Sequence, residues 1–158
     1  MNELGQAYKD GDKGMGLAPN EAKGREWLAR AAESEPEAVY NLALLNLQSG
    51  TGEVDDNVAM FKEACNDNVP AACHNLGVAY RRGAGSLDTD LTKAVDAFEL
   101  ADNDDAFYAL HEIHKELGDF SKAHHWLVRA ANAGHSEAQT AVAQAARLHQ
   151  SAVGNSEL

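Results

Sequence analysis

The sequence predicts an all-α protein made of repeated pairs of helices, and three observations carry the prediction. Alanine is abundant, only three prolines occur in 158 residues, and the β-branched residues are too scattered for the period-two runs of strands. One apolar motif returns at a nearly constant interval. The segments "EAVYNLALLNLQSG", "AACHNLGVAYRRGAG", "DAFYALHEIHKELG" and "SEAQTAVAQAARLHQ" align Ala38, Ala72, Ala106 and Ala138, at steps of 34, 34 and 32 residues. A second series, "EWLARAAES", "AMFKEACND", "DAFELADND" and "HWLVRAANAG", falls between the first and aligns Ala31, Ala64, Ala101 and Ala130. Each unit therefore holds two helices, whose small residues let backbones approach while larger ones interdigitate.

The first unit, about residues 1–35, runs from "NELGQAYKDG" to "EWLARAAES" through the long loop "DGDKGMGLAPNEAKG", so Leu4 precedes Leu42 by 38 positions. The second, about 36–68, opens at Pro36, where a first helical turn tolerates a missing N–H, and breaks at Gly50 and Gly52. The third, about 69–103, repeats that plan with Pro70 and the Gly83 and Gly85 break. In the fourth, about 104–134, the connection shrinks to Gly118-Asp119. A capping helix over 135–150 and a flexible tail over 151–158 complete one continuous domain, 1–150. Across the units Leu42, Leu76, Leu110 and Val142 align in the first helices, and Leu28, Phe61, Phe98 and Leu127 in the second.

Charge excludes whole classes of partner. With 25 acidic against 13 basic residues, the net charge of −12 disfavours nucleic acid and anionic membrane, which need an excess of Lys and Arg. A protein or peptide with a basic or mixed-charge surface is the more natural partner. No apolar run approaches the roughly 18 residues of a bilayer span, and the polar start "MNELGQAYKDGDKG" lacks the apolar core of an export signal. The chain as written is thus expected to be soluble, cytoplasmic and monomeric.

The stretch "NLGVAYRRGAGSLDTDLTKAVDAFELA" resembles a Sel-one-like repeat (SLR), the αα-hairpin relative of the tetratricopeptide repeat. The resemblance covers nearly the whole chain. It is strongest over 69–101 and weakest in the fourth unit, where His111 replaces the helix-one glycine. It implies a right-handed α-α superhelix, or solenoid, of about four hairpins, with an extended concave face as the working surface. The spacing of Cys65 and Cys73 is similar to that in the cysteine-rich Hcp-like branch, where such pairs form disulfides stapling consecutive hairpins. Free buried thiols are the alternative, as a cytosolic chain would favour. A metal pair lacks two further ligands, and a nucleophilic thiol lacks a recognisable base. An oxidised pair would fit a periplasmic or secreted protein whose leader had been removed.

Other candidate sites weigh less. His111 and His114 share a helix face, but adjacent His124 and His125 point apart, so no metal site is expected. The loop "DGDKGMGLAPNE" offers Asp10, Asp12 and Glu21 yet carries Met15 where a calcium loop needs glycine. Trp27 and Trp126 recur at one position and read as core. The acidic stretches "EVDDN" and "ADNDDA" read as solvated or helix-capping. No catalytic motif or cofactor fingerprint appears, so neither catalysis nor a cofactor is expected.

By resemblance to the tetratricopeptide relative, first-helix residues line the groove. The anchors expected there are Tyr40, Leu44, His74, Val78, Arg81 and Tyr108, with Glu112 and Lys115 tuning charge; tyrosine and arginine often dominate interfaces. Tyr40, His74 and Tyr108 occupy one equivalent position and are expected about 10 Å apart. The implied function is a non-enzymatic adaptor gripping a protein or extended peptide. An inhibitor or immunity-type protein that blocks a toxin or hydrolase is the alternative. A β-lactam-binding or hydrolysing enzyme, implied by Hcp-like relatives, is the distant third, because no S-x-x-K serine is present.

Overall fold

The computed structural model describes residues 1–154, with side chains described for 1–148. Among the described residues there are nine α-helices and no β-strand. They are α1 (Asn2–Asp10), α2 (Glu21–Ala31), α3 (Pro36–Ser49), α4 (Val54–Asn66), α5 (Pro70–Arg82), α6 (Leu91–Ala101), α7 (Asp104–Glu116), α8 (Phe120–Ala133) and α9 (Ser136–Gly154). The fold class is that of the α-helical repeat proteins. The last helix passes the expected boundary at 150 and reaches Gly154. The rest of the expected tail, residues 155–158, lies outside the described residues.

The chain divides into two compact units, one of Met1–Ala101 and one that begins at Asp102. In the first, each helix packs on the next from α1 through α6, which stacks three hairpins. In the second, α8 packs on both α7 and α9.

Both alanine series are what the sequence predicts them to be. Ala38, Ala72, Ala106 and Ala138 are fully buried, and Ala31, Ala64, Ala101 and Ala130 are at most 2% exposed. The large residues follow the register less uniformly. Leu76 and Leu110 are buried, whereas Leu42 is only partly so and Leu45 enters the core in its place. The run "NLALLNL" puts leucine on nearly every face of α3, so the repeat register cannot choose among them. In α8 the core position passes from Leu127 to its neighbour Trp126, whose ring stacks 5.7 Å from that of Phe107. Trp27, read from the sequence as core, is only partly buried, and the Arg30 guanidinium covers it at 4.9 Å.

Turn chemistry fixes the hairpins. Pro36 and Pro70 both open their helices, where no N–H is needed. At Gly77 the α5 backbone touches Phe98 of α6 so closely that a Cβ would lie 2.9 Å from the ring. Gly85, at φ +61°, lets Asp55 accept a hydrogen bond from the Ser86 N–H at 2.7 Å, tying the loop before α6 to the start of α4. The long loop of the first unit closes on itself. Asp12 pairs with Leu17, and its carboxylate accepts from the Met15 N–H at 2.9 Å. In "ADNDDA" the helix cap is Asn103, accepting from the Ala106 N–H at 2.8 Å. His111, standing in place of glycine, hydrogen-bonds through Nδ1 to the Ala123 carbonyl at 2.9 Å.

Candidate functional site

Cys65 closes α4 and Cys73 lies in the opening turns of α5, and the two form a disulfide with sulfurs 2.07 Å apart. The bridge pins the junction of the second and third hairpins. Further along the same two helices, and against the end of α3, a groove opens with a volume of about 230 Å³. Its apolar walls come from Leu47 of α3, Val54, Val58 and Phe61 of α4, and Val78 of α5. Leu47 and Val54 remain 48% and 45% exposed, whereas Phe61 is buried and forms the floor.

Polar groups enter this apolar space at three points. Asn57 of α4 is 2% exposed and lines the groove. Asn75 of α5 lines it too and hydrogen-bonds the Tyr40 hydroxyl. Arg82 stands exposed at the rim, at the end of α5.

A relay from another hairpin fixes which way Asn57 faces. Glu21 of α2 holds Arg25 by an ion pair at 3.1 Å. The Ser49 hydroxyl first, and Arg25 second, keep the Glu21 carboxyl below the usual carboxylate range. The Arg25 guanidinium donates to Asn46 of α3, and because a guanidinium only donates, the atom it meets is the Asn46 oxygen. The Asn46 amide nitrogen must then donate to Asn57 Oδ1, which it does at 3.0 Å. Asn57 Nδ2 is left with no acceptor among the described residues, beside the groove that its side chain lines.

The residues anticipated from the sequence fall in both units. Tyr40 and Leu44 lie on α3, and His74, Val78 and Arg81 on α5, all partly exposed. The Tyr40 ring sits 6.0 Å from Phe61. Burial pushes its hydroxyl above the ordinary tyrosine range, with the Asn75 bond opposing. His74 meets the Phe98 ring edge-on at 5.4 Å. In the second unit Tyr108 and Glu112 are partly exposed and Lys115 is exposed, all on α7. Tyr108 stacks on His135 at 4.2 Å. Of the anticipated anchors, Val78 lines the groove directly and Tyr40 supports it through Phe61 and Asn75.

The second-helix contribution, Asn57 above all, escaped a reading that carried over first-helix positions alone. A signal was nevertheless present. Four residues before Leu28, Phe61, Phe98 and Leu127 stand Gly24, Asn57, Ala94 and Ala123, so one unit places a polar amide where the other three have a small residue. All four positions are buried.

The Sel1 repeat profile matches residues 1–35, 36–61, 70–101 and 115–135. No curated protein matches the chain. Among solved structures, a protective antigen of uropathogenic Escherichia coli strains displaying an SLR fold is similar at 25% identity and a TM-score of 0.78, over 86% of this chain and 30% of that one. A Sel1 repeat protein from Oxalobacter formigenes is similar at 22% identity and 0.72, over 87% and 58%. An immunity protein from Pseudomonas aeruginosa is similar at 16% identity and 0.58, over 87% and 53%. The chain thus spans less than two thirds of the length of each of these relatives, and the latter two likenesses concern the fold alone.

Proposed function

The chain belongs to the Sel1 repeat family, and from that premise we propose that it is a non-catalytic scaffold taking a protein or extended-peptide partner in the groove of its first unit. Sel1 repeat proteins are generally protein-interaction scaffolds. The observation that carries the reading to this place is the groove itself, where two large apolar side chains stay open to solvent beside a buried amide with donors to spare. Exposed apolar surface rimmed by polar groups marks interaction sites. Tyr40, Leu44, His74, Val78 and Arg81 are proposed as contacts of the first unit. Tyr108, Glu112 and Lys115 are proposed as a separate set on the second.

Neutralising a toxin or hydrolase is a special case of the same reading. Its support is the net charge of −12, which suits a basic target. The Hcp-like role of the cysteine pair is likewise a proposal, with the bridge stiffening the groove wall.

Immobilised protein should capture a partner from cell extract that a Leu44→Glu, Tyr108→Ala variant of similar melting temperature fails to retain. Equal capture by the variant removes this assignment of contacts. Turnover of a chromogenic β-lactam by the purified protein, abolished by a single His or Cys substitution, would replace the scaffold with an enzyme.

A further inference from the structure

The groove is small, hydrophobic and selectively polar, and each property narrows what fits it. Small-molecule sites occupy about 300–1,000 Å³. A space of about 230 Å³ suits one or two side chains of a longer chain instead. Leu47 and Val54 at its rim would lose their exposed apolar area to a large aliphatic or aromatic side chain.

The buried amide of Asn57 specifies a second feature. Its nitrogen opens into the groove, where water can meet it until a ligand displaces that water. A ligand without an acceptor then leaves the donor unpaired at a cost of about 1–3 kcal/mol, so one that supplies an acceptor gains over one that does not. The relay from Arg25 presents donors, not an acceptor, to the groove. A backbone carbonyl is the acceptor that every residue of an extended peptide carries.

The third feature is charge. Arg82 lines the groove and has no ion-pair partner among the described residues, in a chain with nearly twice as many acids as bases. A guanidinium left without a carboxylate in such surroundings is available for one from outside. Overall charge steers approach over long range, while Arg82 acts at contact.

Resting on the scaffold reading, we infer that the groove between α3, α4 and α5 recognises an extended peptide segment bearing a large apolar side chain next to a carboxylate. The apolar side chain fills the space over Phe61, a backbone carbonyl accepts from Asn57 Nδ2, and the carboxylate pairs with Arg82.

The test pans phage-displayed random 12-residue peptides against the intact protein, then measures the best synthetic peptide by fluorescence anisotropy. Enriched sequences should carry Leu, Met or Phe within two residues of Asp or Glu. Arg82→Glu should weaken the synthetic peptide about fivefold to tenfold, with an effect that shrinks at high salt. Leu47→Glu should weaken it tenfold or more. Both side chains are exposed, so melting temperatures should hold. On titration with the peptide, the Asn57 side-chain amide resonances should shift. Enriched peptides that are basic, or whose binding survives both substitutions, overturn this inference and leave the scaffold reading standing. No enrichment of any peptide overturns both.

Discussion

Opening the Cys65–Cys73 bridge should destabilise the first unit by an amount that the length of its loop predicts. The cysteines are 8 residues apart, and the chain-entropy relation for a loop of that size gives about 2.5 kcal/mol at 25 °C. Chains of 150–250 residues lose roughly 2–4 °C per kcal/mol, so a reductant should lower the melting temperature by roughly 5–10 °C. Reduction keeps both sulfurs in place and therefore reads the loop effect with little cavity contribution. The Cys65→Ala, Cys73→Ala variant removes the sulfurs as well. Both cysteines are buried, so that variant should fall further, by about 1 kcal/mol or more. The assay is thermal melting by circular dichroism with and without reductant, paired with thiol titration of the unfolded, unreduced protein. Two titratable thiols in that sample would remove the bridge itself. A bridge present by titration, with a melting shift below about 2 °C, would refute the loop-entropy reasoning. Hydrogen exchange should show the largest loss in α4 and α5, because each repeat contacts only its neighbours and the bridge joins these two helices.

Gly77→Ala should cost about 1–3 kcal/mol, since the new methyl would meet a Phe98 ring held in the core at 1% exposure; an unchanged denaturant midpoint would mean that α5 and α6 separate without cost. Asn103→Ala should cost about 1 kcal/mol by removing the α7 cap, and chemical denaturation of the variant measures it. Stability should hold near neutrality and fall as pH drops below about 4. The Ser49 hydroxyl lowers the Glu21 pKa, the Lys93 N–H that of Asp90, the Lys122 N–H that of Asp119, and the Ser136 hydroxyl that of Glu137. A carboxylate whose pKa is depressed by folding contributes above its unfolded value and loses that contribution as pH falls through its folded one. Denaturant midpoints rising between pH 5 and 3 would contradict that sign.

Much of the fold was legible because the positions that set it admit few residue types. An alanine where two helices cross has no substitute of similar size except glycine or serine, so the eight aligned alanines stand out at a fixed period. Leucine positions are less restrictive, and the leucine-rich α3 and the Trp126-Leu127 pair show adjacent large residues exchanging the core role. The candidate site was legible in part. Val78, which lines the groove, and Tyr40, which stands behind it, follow from first-helix register, but the groove is completed by α4, whose contribution depends on how α3, α4 and α5 meet. Asn57 was visible as an anomaly of register, while the direction of its amide was not, because that depends on Arg25 32 positions earlier.

That relay has a wider meaning for how such a surface diversifies. Carboxamides can turn end for end, so a row of them has no inherent sense, and the guanidinium at its head acts as a ratchet for the whole row. Exchanging Arg25 for an acceptor such as glutamate would let Asn46 and Asn57 rotate in turn. The cleft would then offer oxygen where it now offers hydrogen, with none of its own residues altered.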